Sequence, residues 1–217
     1  MKICGTTSEE DALLAVAMGA DAVGFIFAPS KRQIAPSIAR DIVKRLPPEI
    51  LTVGVFRDEA PQRVVDAVRF AGLKAAQLSG RESPEEARWI RERVPFVIQG
   101  FAAGDRMVTR AHEYGVDAVL IDNPTPGSGE VYDWALAGEA PDGVRVIVAG
   151  GLTSDNVAAA MAAVRPWGVD VVTGVEREPG RKDPARLRAF VAAVRAAEQV
   201  PYEGDEAVRP YDWQEET

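Results

Sequence analysis

Histidine is nearly missing from this chain. One residue, His112, serves all 217 positions. It lies in Arg110-Ala111-His112-Glu113-Tyr114, a polar stretch that reads as the end of a solvated helix rather than the tip of a strand. Metal sites built on several imidazoles and Ser-His-Asp machinery both need histidines converging on a pocket, so both are excluded. Proton transfer must fall to carboxylates, a thiol or a lysine. Cysteine is as scarce: Cys4 stands alone, which rules out an internal disulfide. No long uncharged apolar run offers a membrane span, and Met1 leads into Lys2-Ile3-Cys4 without the apolar core of a signal peptide, so a reducing cytoplasm is the expected home. Positive charge is not in excess either. A formal net charge of -8 argues against a nucleic acid partner, although local cations can still hold a phosphate or carboxylate in a cleft.

What is present is a regular alternation. Short β-branched runs at 2–4, 22–27, 51–56, 75–78, 96–100, 118–121, 144–148 and 169–172 are separated by longer amphipathic stretches, the pattern of βα units around a parallel sheet. Several runs are almost wholly apolar, as strands covered on both faces should be. Helix starts are expected at Ser8, at Pro61, at Ser83-Pro84-Glu85-Glu86 with its capping-box spacing, at Ser154-Asp155 and at Asp183-Pro184. Apolar stripes such as Ala12, Leu13, Val16 and Ala17, or Leu187, Phe190, Val191 and Val194, suit packing against the outside of a sheet. Eight such units close most naturally into a (β/α)8 barrel, an α/β fold of the TIM-barrel type, spanning 1–198 as one domain with short loops. The competing open doubly wound sheet lacks its Gly-x-Gly-x-x-Gly after the first strand. From 199 to 217 the repeat gives way to an acidic tail, expected to be poorly ordered unless Tyr211 and Trp213 dock it.

Barrel sites form where strands end and βα loops begin, which limits the search to eight places. Ala149-Gly150-Gly151-Leu152 after strand seven and Thr173-Gly174-Val175-Glu176 after strand eight remove side chains where backbone N–H groups must approach an anion. Glycines also serve tight turns, yet two such loops at the last two strands favour a phosphate site. Asp122 closes strand six beneath the glycine-containing loop that continues through Gly127-Ser128-Gly129; it is a turn cap or, if burial raises its pKa, a general acid. Cys4 closes strand one and is either an inert buried thiol or a base that needs a positive neighbour. Together they form an acid–base pair able to move a proton within one molecule. Arg32 is a solvated cation or a planar fork for a substrate carboxylate, and Asp170 a polar residue of the barrel wall or an orienting group near the site.

These residues, in this order and spacing, carry a resemblance from Lys2 to about Ala197. The segments are Lys2-Ile3-Cys4-Gly5-Thr6-Thr7, Asp21-Ala22-Val23-Gly24-Phe25-Ile26-Phe27, Ser30-Lys31-Arg32-Gln33-Ile34-Ala35-Pro36, Val53-Gly54-Val55-Phe56, Gln77-Leu78, Leu120-Ile121-Asp122, Gly127-Ser128-Gly129, Ala149-Gly150-Gly151-Leu152, Val169-Asp170-Val171 and Gly174-Val175-Glu176. With them the chain resembles the phosphoribosylanthranilate isomerase family of tryptophan biosynthesis. The resemblance implies an Amadori rearrangement of N-(5-phosphoribosyl)anthranilate with neither metal nor organic cofactor. Asp122 would be the general acid, Cys4 the general base, Arg32 a contact to the anthranilate end, and Gly150, Gly151, Thr173 and Gly174 the phosphate cradle. A small-molecule phosphosugar is thus the expected ligand of a monomer or homodimer. Two departures stand out: Ser79 occupies a position where the family pattern generally shows histidine, and Val172-Thr173 replaces a pair of smaller residues. Alternatives from the residues alone are another phosphosugar aminoaldose-ketose isomerase, or a diverged barrel that binds a phosphate ligand without catalysis.

Overall fold

The computed structural model describes residues 1–124 and 133–197. The tail at 199–217 and the loop segment holding Gly127-Ser128-Gly129 lie outside the described residues. Eight parallel strands run in chain order: β1 Lys2–Ile3, β2 Ala22–Ile26, β3 Leu51–Phe56, β4 Ala75–Leu78, β5 Phe96–Ala102, β6 Ala118–Asp122, β7 Val146–Val148 and β8 Gly168–Val171. Each pairs with its successor and β8 returns to β1, closing the barrel. Their composition explains the closure, since a strand such as β3, buried at every position, needs cover on both faces.

The helices on the outside are α1 Glu9–Met18, α2 Pro36–Val43, α3 Pro61–Ala71, α4 Pro84–Arg91, α5 Val157–Val164 and α6 Pro184–Ala196. Local signals set most of their starts. Ser8 accepts from the Asp11 N–H, Ser83 and Glu86 complete a capping box, Asp183 accepts from the Ala185 and Arg186 N–H groups, and Pro61, Pro84 and Pro184 occupy first turns. The start expected at Ser154-Asp155 is displaced. α5 begins after Asn156, whose side chain accepts from the Thr153 N–H and donates to the Gly151 carbonyl, tying down the loop after β7 instead. In α1 the buried face is Asp11, Ala12 and Ala15, whereas Leu13 is 39% exposed and Ala17 faces solvent. A helical step of about 100° carries positions 13 and 17 off the face that Ala12 and Ala15 define. The α6 stripe is buried as expected. Between β5 and β6, and again between β6 and β7, short 3-10 segments, Val108–Tyr114 and Trp134–Glu139, take the place of α-helices. His112 lies in the first of these and is exposed.

Two apolar layers result. Residues of one parity, including Ile3, Val23, Val119, Ile121, Val148, Val169 and Val171, pack outward against the helices. Those of the other parity fill the barrel: Ala22, Leu51, Val53, Phe96, Ile98, Ala118, Leu120 and Ile147, with Trp167 stacked on Phe96. The same alternation carries Lys2, Cys4, Gly24, Asp122 and Asp170 to the inside. A two-stranded hairpin, β9 Glu176–Glu178 and β10 Arg181–Lys182, follows β8. No helix among the described residues is long and apolar enough to cross a membrane.

Candidate active site

A cavity of about 1060 Å³ opens at the C-terminal ends of the strands, and Cys4, Arg32, Asp122, Gly150, Gly151, Asp170 and Thr173 all line it. Gly174 does not. It lies behind the wall, where a Cβ would sit 1.9 Å from the Leu152 carbonyl oxygen, so its bare backbone lets the loops after β7 and β8 press together. Gly150 and Gly151 hold consecutive left-handed conformations, φ 86° and 64°, which turn that loop sharply at the rim.

Cys4 ends the first strand run with its N–H donated to the Val171 carbonyl, and only 3% of the residue is exposed. Opposite it, Gly24 makes the room: a Cβ there would stand 2.5 Å from Sγ. Burial pushes the thiol above its usual range; the Lys2 ammonium opposes this and Asp170 adds to it. The structure therefore supplies the positive neighbour that a thiolate requires, at a position two residues earlier on the same strand.

Lys2 is itself buried and donates from Nζ to Asp170 Oδ1 at 2.9 Å, across the register that pairs Lys2 with Asp170. Burial works against its charge, but Asp170 and the thiol more than offset this, leaving Lys2 raised and cationic. Breaking such a pair by removing one member costs about 3–5 kcal/mol, because the other charge stays behind in the barrel.

Asp122 stands at the end of β6, partly buried. Burial is the main influence raising its carboxyl to about 6; the Asn123 N–H, donating to Oδ1 at 2.7 Å, pulls the other way, Asp170 raises it further and Lys2 lowers it. About a tenth of such a group is protonated at pH 7, against roughly a thousandth for an ordinary aspartate.

Arg32 is not a free fork. Its Nε and Nη2 grip Glu176 at 2.9 and 2.6 Å, which ties the loop after β2 to the hairpin after β8 and leaves Nη1 as the nitrogen outside that grip. Lys182, fully buried, bridges Glu176 Oε1 at 3.2 Å and the Cys4 carbonyl at 2.5 Å. Burial lowers Lys182 while Glu176 supports its charge. On the far wall, Gln77 donates to the Ser79 hydroxyl at 3.0 Å, and the Oε1 atoms of Gln77 and Gln99 are buried without a partner among the described residues.

Several of these residues escaped sequence reasoning. Gly24 carried a signal, an isolated glycine inside a β-branched run, which marks a close approach. Lys2 carried another, the same strand parity as Cys4. Glu176 and Lys182 carried none, because only the hairpin brings them under Cys4.

The architecture and the rim cavity define a single-domain (β/α)8 barrel with a thiol, a carboxyl and two glycine-bearing loops around one polar site. The chain belongs to the N-(5'-phosphoribosyl)anthranilate isomerase family: the model described as N-(5'phosphoribosyl)anthranilate (PRA) isomerase matches residues 1–193. The N-(5'-phosphoribosyl)anthranilate isomerase of Desulforudis audaxviator is 50% identical over 204 residues, which is 91% of this chain and 98% of that relative. The crystal structure of phosphoribosyl anthranilate isomerase from Thermus thermophilus superposes with a TM-score of 0.84 at 40% identity, covering 91% of this chain and 98% of the other. A phosphoribosyl anthranilate isomerase in complex with reduced 1-(o-carboxyphenylamino)-1-deoxyribulose 5-phosphate superposes with a TM-score of 0.79 at 39% identity, over 89% of this chain and 97% of that one.

Proposed function

We propose that this chain isomerises N-(5-phosphoribosyl)anthranilate to 1-(2-carboxyphenylamino)-1-deoxyribulose 5-phosphate, the Amadori step of tryptophan biosynthesis, in the cytoplasm. The observation that carries the reading is the meeting of Cys4 and Asp122 at one cavity, with the Asp122 carboxyl raised to about 6. Asp122 donates its proton to the furanose ring oxygen as the C1–O bond breaks and the anilino nitrogen lone pair forms C1=N. Cys4 then removes the C2 proton, and those electrons form the C1=C2 bond of an enolamine. Tautomerisation moves the enol proton to C1 and leaves the C2 ketone, so atoms and charge balance with no external redox partner. The proton that Cys4 gains and the one that Asp122 gives up re-equilibrate through solvent, and no step calls for a metal or organic cofactor.

The remaining groups take the ends of the substrate. The loops of Gly150-Gly151 and Thr173, pressed together at Gly174, form the phosphate cradle, with Gly174 acting through backbone packing rather than contact. Arg32 offers Nη1 toward the anthranilate end while Glu176 orients it. The free acceptors of Gln77 and Gln99 suit the sugar hydroxyls. The test is turnover of N-(5-phosphoribosyl)anthranilate by the purified protein, followed as the loss of anthranilate-type fluorescence, together with rescue of a tryptophan auxotroph lacking this step. Phosphate-ligand binding without turnover would instead support the diverged, non-catalytic barrel.

A further inference from the structure

The acid–base reading leaves a difficulty, and the following inference rests on that reading. The reaction needs Cys4 ionised while Asp122 is protonated, but burial pushes the thiol above its usual range and raises the carboxyl only to about 6. The free site therefore titrates in the reverse order, and the productive form is a minority of the singly protonated species. Each unit by which the two titrations separate removes about tenfold of that minority.

Both groups feel a buried ion pair that the mechanism does not use. Lys2 Nζ and Asp170 Oδ1 are 2.9 Å apart, with side chains 4% and 6% exposed, and they stand at paired register positions on adjacent strands. Lys2 shares its strand and its face with Cys4, and its Cε lies, like Sγ, against the bare backbone of Gly24. Asp170 lines the same cavity as Asp122. We propose that Lys2 and Asp170 are positioning residues that form one fixed dipole, its ammonium end at Cys4 and its carboxylate end toward Asp122, which enlarges the share of the site that carries a thiolate together with a carboxylic acid.

The signs agree at both ends. On the thiol the Lys2 influence exceeds that of Asp170, and on the Asp122 carboxyl the Asp170 influence exceeds that of Lys2. The other charges near Cys4 come from the β9–β10 hairpin and the loop after β2. There Lys182 and Arg32 both converge on Glu176, so their net field at the thiol is reduced. Neither is among the charges that act on Asp122, whereas both members of the pair are. A β2 neighbour contributes nothing titratable, since it is Gly24.

Three variants separate this role from a merely structural one. Lys2→Met should move both titrations up, Asp170→Asn should move both down, and the volume-matched double variant Lys2→Met/Asp170→Leu should drive them apart, Cys4 up and Asp122 down. The double variant also removes both charges together, so it folds where a single one leaves a charge stranded. Cys4 is the only cysteine, so the ultraviolet absorbance of its thiolate reads it alone in the free protein, and carbon NMR of the carboxyl reads Asp122. In turnover the double variant should give a broader and lower bell of kcat/KM against pH, with a plateau down about tenfold per unit of added separation and KM nearly unchanged. Parent-like titration of Cys4 in the folded double variant would overturn the proposal. Failure of the parent to turn over the substrate would instead remove the isomerase reading, because the thiolate titration needs no substrate.

Discussion

Gly24→Ala places one methyl group where the proposed base now sits. The Cβ would stand 2.5 Å from Cys4 Sγ and 3.2 Å from both Cys4 Cβ and Lys2 Cε, whereas ordinary contact begins near 3.4 Å. Sγ must therefore withdraw by about an ångström, toward neighbours that are already close-packed. Overpacking of this kind costs about 1–3 kcal/mol, and the intrinsic gain of roughly 0.5–1 kcal/mol from replacing a strand glycine by alanine offsets part of it. For a domain of this size the melting temperature should fall by no more than about 10 °C. The larger effect is kinetic. A reacting group misplaced by about 1 Å loses on the order of a hundredfold in rate, so kcat should fall by that factor while KM, which the proposed phosphate and anthranilate contacts would set, should move little. Steady-state kinetics beside a thermal melt tests both numbers. If the folded variant turned over substrate within twofold of the parent, the thiol would not be the base, whatever its burial.

Other substitutions read other parts of the site. Cys4→Ser and Asp122→Asn should each abolish most turnover and leave the fold intact; parent rates in either, measured by steady-state fluorescence, would remove its assigned role. Asp122→Asn should also stabilise the protein at neutral pH. A carboxyl raised to about 6 when folded and near 3.9 when unfolded binds its proton more tightly in the folded state, so its contribution is complete below the lower value and lost as pH rises through 6, about 3 kcal/mol in all. Denaturant melts at pH 7 and pH 4 should show the gain at the first and its absence at the second. Arg32→Ala should raise KM and lower stability together, because it strips Glu176 of its bidentate partner and leaves only Lys182 to neutralise it; an unchanged KM would take Arg32 out of the substrate site. Gly174→Ala should raise KM more than it lowers kcat, since a Cβ 1.9 Å from the Leu152 carbonyl forces apart the two loops proposed for the phosphate, and loss of competitive inhibition by inorganic phosphate would report the same change.

The barrel was legible because its strands advertise themselves. Runs such as Leu51–Phe56 are apolar at both parities, and only a sheet covered on both sides accepts them. Helix starts were legible where a single side chain decides them, as at Ser8, Ser83 and Asp183, and failed at Ser154-Asp155, where Asn156 competes for the same turn and is taken by the glycine loop. The site divided along the same line. Cys4, Asp122 and the two glycine loops could be located because each ends a strand, and strand ends are where barrel chemistry collects. Of what decides their protonation, only Lys2 left a trace, its strand parity; its partners were out of reach. Lys2 and Asp170 are 168 positions apart, and Arg32 and Glu176 are 144 apart. No periodicity relates such partners; the closing of β8 onto β1 and the return of the hairpin do so. Because the barrel closes there, the first strand, too short to contribute much core, is the one flanked by the latest part of the chain. A thiol at the end of β1 therefore takes only part of its electrostatics from its own strand, through Lys2, and the rest from Asp170 and Lys182, which reach it because β8 closes onto β1 and the hairpin folds back.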